Sequence, residues 1–133
     1  MREILFRAKK LYNGEWVEGG ILQTKNWASI FVCEDYQGNL NEAPYGDVEE
    51  YDVIPETVGQ YTGLTDKNGN KIFEGDIVIL RFSPCVVKWD SDNACYSLYQ
   101  NGITKVSGFN ADTMKLLEVI GNIHDDKLED LKE

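Results

Sequence analysis

Apolar residues in this chain fall mostly into short runs, with little of the three-and-four spacing that marks a long amphipathic helix. In the second half these runs are DIVILRF (Asp76 to Phe82), CVVKWD (Cys85 to Asp90), CYSLYQ (Cys95 to Gln100), ITKVSGF (Ile103 to Phe109) and LLEVIGNI (Leu116 to Ile123). Each is rich in Val, Ile, Tyr or Phe and is bounded by Ser-Pro, Asp-Ser-Asp-Asn, Asn-Gly or Gly-Phe-Asn, so each predicts a strand closed by turns. Strands of that length and spacing predict a small barrel or sandwich.

The first half begins with Ile4 to Ala8 and Glu15 to Val17, joined through Tyr12-Asn13-Gly14. Asn-Gly between strand-like runs predicts a hairpin with a type I′ turn, because both residues tolerate positive φ. Gly19-Gly20 predicts a break or bulge before Ile21, and Trp27 to Cys33 predicts a strand. Asn39 to Pro44 is turn-rich, and the acidic run from Gly46 to Tyr61 suggests no regular element, with Val53, Ile54 and Val58 as its buried anchors. Helical signal is confined to Asn110–Glu118 and Asp125–Glu133, so at most two short helices are expected.

Val58 to Val78 holds the densest turn chemistry. Asp66-Lys67-Asn68-Gly69 between Tyr61–Leu64 and Lys71–Phe73 predicts a bulged hairpin, with the aspartate accepting turn amides and Gly69 left-handed. Gly75 then lets the chain corner into the strand at Ile77, with Asp76 facing outward. Asp66, Asn68 and Asn70 also match the first three ligand positions of an EF-hand loop. That pattern then fails, because Lys71 stands where glycine is required and Ile77 where a glutamate should close the site. Neither Gly63 nor Gly69 leads into a helix start or a Gly-Lys-Ser/Thr step, so a phosphate cradle is not supported.

Three segments resemble the landmarks of the YopX family of small bacteriophage and prophage proteins: ILFRAKKLYNGEWVEGG near the start, IPETVGQYTGLTDKNGNKIFEGDIV (Ile54 to Val78) and LLEVIGNIHDD (Leu116 to Asp126). The resemblance spans nearly the whole chain. It implies a mainly β fold, with an N-terminal β region over residues 1–54 and a small SH3-like β-barrel over residues 55–133, and it implies self-association. It brings no catalytic residues. One departure is visible: Lys9-Lys10 follow Ala8 where an aromatic followed by aspartate is frequent in the family, so that acidic position is absent here.

Composition narrows the function. The 133 residues are 42% apolar, enough for a folded domain that buries roughly two-thirds of its unfolded surface without metal or disulfide. Thirteen basic against 23 acidic residues leave a net charge of −10, which disfavours general binding to nucleic acid. The acids cluster at Glu42–Glu56 and in the last residues from Asp125. No long apolar segment follows Met1 to Lys10, so a cytoplasmic protein is expected, and the resemblance implies that the cell is a bacterial host. Cys33, Cys85 and Cys95 fit no zinc or redox spacing and are read as free, buried thiols.

Candidate chemistry is sparse. A Cys–His nucleophile would have to use His124, the single histidine, and general acid–base work would use Glu74 with Asp76. Both are outweighed by a core thiol and by a turn cap. The favoured expectation is a non-catalytic module, needing no cofactor, that binds an unidentified host or phage protein. Tyr61, Asp66, Glu74, Asp76, Trp89 and Tyr99 are its candidate interaction surface. The alternatives are an acidic DNA mimic and a small hydrolase using Glu74 and Asp76 or a Cys–His pair.

Overall fold

The computed structural model describes residues 3–33, 48–108, 112 and 116–125. Most of both helical expectations, the turn at Asn39–Pro44, Glu42, Asp47 and the C-terminal acids after Asp125 lie outside these residues. The chain divides into two compact units, Glu3–Gln60 and the residues from Tyr61 onward. Both are antiparallel β structure, and the described residues contain one short 3-10 turn, Pro55–Thr57.

The first unit contains β1 (Phe6–Lys9), β2 (Trp16–Gln23), β3 (Ala28–Cys33), β4 (Val48–Val53) and the start of β5 (Gly59–Thr65). Its strand order is β4-β3-β2-β1-β5. Ala8, Ala28, Ile30 and Val53 form the core, with Phe6, Val17, Ile21, Val32 and Val58 packed around them. Alternation along β1 turns Phe6 and Ala8 inward and Arg7 and Lys9 to the opposite face. The sheet curls until the end of β4 reaches back to the end of β1. There Lys10 bridges Val53, Leu11 N–H donates to the Asp52 carbonyl at 2.8 Å, and Ile54 N–H donates to the Lys9 carbonyl at 2.9 Å.

That closure alters the first hairpin. Leu11 N–H is engaged by Asp52, so the loop lengthens to residues 11–14. Gly14 alone in this loop takes positive φ (+74°), with its N–H on the Lys10 carbonyl, in place of the type I′ turn expected at Asn13-Gly14. Gly19 and Gly20 do not break the chain either: β2 runs through both. Val48–Val53, where no element was expected, is a full strand pairing all six residues with β3. Of the expected anchors in this run Val53 is buried, whereas Ile54 and Val58 are half-buried.

In the second unit the rest of β5 pairs with β6 (Lys71–Phe73). β7 (Asp76–Leu80), β8 (Ser83–Asp90), β9 (Cys95–Gln100), β10 (Thr104–Gly108) and β11 (Glu118–Asn122) form a sheet of order β10-β9-β8-β7-β11. Ile72, Val78, Cys85, Val87, Leu98 and Leu117 are its buried cluster. β10 and β11 are the two ends of this sheet, so the pairings of the described residues leave it open and do not close the expected SH3-like barrel.

Ser83-Pro84, expected as a turn, belongs to β8, and the two-residue turn is Arg81-Phe82 between the paired Leu80 and Ser83. Pro84 fits because its missing N–H faces the β9 side, beyond the last β8–β9 pair, Cys85 with Gln100.

Asp90, at the far end of β8, accepts from Asp92 N–H, the Asn93 amide and Lys105 Nζ, the last at 3.0 Å. The Asn93 amide and then the Lys105 ammonium hold its carboxyl down from the ordinary 3.8 to about 2, against a smaller upward push from burial. A lowered carboxyl contributes stability above its ordinary value that is lost as pH falls through the lowered one. We therefore expect a carboxyl titration of Asp90 by NMR with its midpoint near 2, and a shallower fall of stability from about pH 4 toward pH 2 in Asp90→Asn.

Candidate interaction surface

Several residues expected on an interaction surface serve the scaffold. Asp66 is 5% exposed, and its carboxylate accepts Asn68 N–H, Asn70 N–H and Val119 N–H, each at 2.9 Å, and the Asn70 amide at 3.4 Å. The bulged hairpin therefore forms as read, with Gly69 at φ +82°, and its aspartate is turned onto N–H donors rather than held open for a cation. Among the described residues no group of three or more His, Cys, Asp or Glu side chains is placed to hold a metal.

Asp76, expected to face outward, is 1% exposed. One oxygen takes Phe73 N–H at 2.8 Å and the other the Asn122 amide at 3.0 Å, which locks the Gly75 corner (φ +91°). Tyr61 is buried against Phe73, with ring centroids 5.5 Å apart, and Glu74 is half-buried. Trp89 stays half-exposed, edge-on to Tyr96, and Tyr99 lies under Lys88 Nζ at 5.7 Å. Cys85 is buried, and burial pushes its thiol up, away from the thiolate a nucleophile needs. Cys95 and His124 are half-buried, and the Cys33 side chain lies outside the described residues. Of the run Asp47–Asp52, Glu50 and Asp52 share one face of β4 and Glu49 takes the other, whereas a DNA mimic needs two rows of carboxylates on one face.

Two other surfaces carry exposed chemistry that the reading of the sequence did not single out. In the second unit, the β7–β8 and β9–β10 turns lie side by side: Asn101 N–H donates to the Pro84 carbonyl at 3.4 Å, and the Gln100 amide to Ser83 Oγ at 3.4 Å. Phe82 at one tip is 92% exposed and Ile103 at the other 82%. Arg81 and Phe82 both hold positive φ (50° and 71°), the type I′ pattern usually reserved for Asn and Gly. Lys88 Nζ ties the second tip by donating to the Gly102 carbonyl at 2.7 Å. A strained backbone under a bulky exposed ring is a signal visible only in the structure.

In the first unit, cations lie on aromatic faces. Arg7 stands 4.6 Å and Lys9 5.5 Å from the Trp16 ring, and Lys10 4.2 Å from the Tyr51 ring. These rings wall two adjoining cavities that share Lys10 and Tyr51. One, of about 480 Å³, is lined by Arg7, Trp16, Val17, Glu18 and Val32. The other, of about 550 Å³, is lined by Leu11, Tyr12, Asn13, Glu50 and Asp52.

The protein is thus a small, acidic, mainly antiparallel β protein of two units whose exposed chemistry sits on hairpin tips and in cation–aromatic grooves. It belongs to the YopX family, whose model, described as YopX protein, matches residues 5–129, as its three landmark segments led us to expect. No curated protein matches the chain. No helix among the described residues is long and apolar enough to cross a membrane.

Proposed function

We propose that this chain is a non-catalytic accessory module of a bacteriophage or prophage that works in the host cytoplasm, self-associates, and binds a host or phage protein through the paired hairpin tips of its second unit. Phe82 and Ile103 carry this reading: large apolar side chains held in solvent on tight, hydrogen-bonded turns are pre-organised anchors for a partner's pocket. The commitment of Asp66 and Asp76 to backbone and amide donors supports it over acid–base chemistry. Affinity capture from lysogenic cells with the wild-type chain and with Phe82→Ser/Ile103→Ser tests it. The wild type is expected to retain a discrete partner that the variant loses, and identical retention by both would sink the proposal.

The same turn sets stability against binding. Arg81→Asn with Phe82→Gly supplies the residues that positive φ favours, so the variant is expected to be more stable by about 1–2 kcal/mol in chemical denaturation. It is also expected to lose the captured partner. Unchanged or lower stability would show that the positive φ values store no strain.

A further inference from the structure

We propose that the outer edge of β4 at Val48–Glu50, together with the adjoining cavity of about 550 Å³, takes an extended basic segment of a partner protein as an added strand. This goes beyond the hairpin-tip reading, because it concerns the other unit and a different kind of contact.

The geometry follows from strand parity. The Asp52 carbonyl accepts Leu11 N–H on the side of β4 away from β3. Backbone groups two residues apart in a strand point to the same side, so Glu50 and Val48 aim their N–H and C=O groups that way too. Among the described residues no strand pairs with that edge before the Lys10–Val53 bridge. The end strands of the other sheet are blunted: β10 has a register shift at Lys105–Ser107 and β11 one at Val119–Gly121. β4 instead runs straight through six pairs with β3, with no shift.

The occupant's chemistry follows from the walls. Where β4 meets the first hairpin, the cavity offers apolar surface from Leu11 (63% exposed), Tyr12 (96%) and Tyr51. Glu50 is exposed at the edge itself, Asp52 adds a carboxylate, and the chain as a whole carries −10. Lys10 Nζ, 4.2 Å from the Tyr51 ring, illustrates how an ammonium sits in this wall. An incoming strand with alternating apolar and basic side chains would match both features, its main chain supplying affinity and its side chains specificity.

The test is titration of the full chain with a peptide of about eight residues alternating lysine and valine, followed by NMR and calorimetry. Binding is expected, and it is expected to weaken at least about ten-fold with a glutamate-for-lysine analogue and with a backbone N-methylated analogue. Glu50→Pro removes an N–H aimed at the open edge and leaves the groups that face β3 in place, so it should weaken binding by a similar factor. Tyr12→Ser, at a solvent-exposed position, should weaken it several-fold and decides the matter if Glu50→Pro fails to fold. Equal binding of the lysine and glutamate peptides, or a folded Glu50→Pro that binds like wild type, overturns the proposal. Dimerisation abolished by Glu50→Pro without peptide binding overturns it in favour of self-pairing. Phe82→Ser is expected to leave peptide binding unchanged, so failure here and failure of the hairpin-tip reading are distinguishable.

Discussion

Asp66→Ala is expected to lower the stability of the second unit by about 3–4 kcal/mol, measured by chemical denaturation. The wild-type carboxylate accepts three backbone N–H groups from Asn68, Asn70 and Val119 and one side-chain amide, all from a buried position. Alanine leaves those donors facing no acceptor, and a lost charge-assisted bond costs about 1.5–3 kcal/mol with incomplete additivity. Three of these four donors belong to the hairpin loop and the fourth to β11, so the variant loosens a local turn and its tie to a strand 53 residues away. Lys67 N–H on the Leu117 carbonyl at 3.0 Å and the Lys67–Glu118 ion pair at 3.5 Å are expected to slacken with it. Asp66→Asn keeps one acceptor and turns a donor toward the remaining N–H groups, so a smaller loss of about 1–2 kcal/mol is expected.

The same site makes a pH prediction of fixed sign. Burial pushes the Asp66 carboxyl up, but the N–H groups of Val119, Asn70 and Asn68 and the Asn70 amide outweigh it and hold the group below 3.8. Its contribution is therefore present above that value and is lost as pH falls through the lowered one. The stability gap between wild type and Asp66→Ala should narrow at acid pH. A gap that stays constant through the acid range, or a loss under about 1 kcal/mol at neutral pH, would contradict this account.

How much of this was legible beforehand depends on how far each cause lies along the chain. β9 coincides with the run Cys95–Gln100, and β7, β8, β10 and β11 fall within about two residues of theirs, because apolar content and turn residues are local signals. The Asp66 turn was legible for the same reason, as its Asn68 and Asn70 donors are two and four residues away. Its Val119 donor was not, since register between distant segments leaves no mark near Asp66. β4 was missed because Val48-Glu49-Glu50-Tyr51-Asp52-Val53 is too acidic for a strand by composition. Tertiary partners hold it there: six pairs with β3, with Asp52 accepting Trp27 Nε1 at 3.2 Å and Ser29 Oγ at 3.0 Å. By sequence Phe82 closes the strand run that begins at Asp76, and only the turn geometry puts it in solvent.

Two adjacent glycines give the second large expected effect, and they are expected to respond in opposite ways. A Cβ on Gly19 would stand 2.2 Å from the Phe31 carbonyl oxygen and 2.9 Å from its carbon, whereas a Cβ on Gly20 would meet nothing within 4 Å. The Gly19 neighbour is backbone, so relief requires β2 and β3 to part rather than a side chain to swing. Gly19→Ala is therefore expected to destabilise the first unit by about 2–3 kcal/mol, in the range of overpacked cores. Amide exchange should accelerate along Ala28–Cys33 and, through its six pairs with β3, along Val48–Val53. Gly20→Ala, in a continuous strand with open space, should change stability by no more than about 0.5 kcal/mol and can raise it slightly by restricting the unfolded chain. Similar responses at both positions would mean that the pair acts as a flexible break, as the sequence first suggested. A loss confined to Gly19 would mean that the close approach of the Phe31 carbonyl to β2 depends on the missing Cβ there.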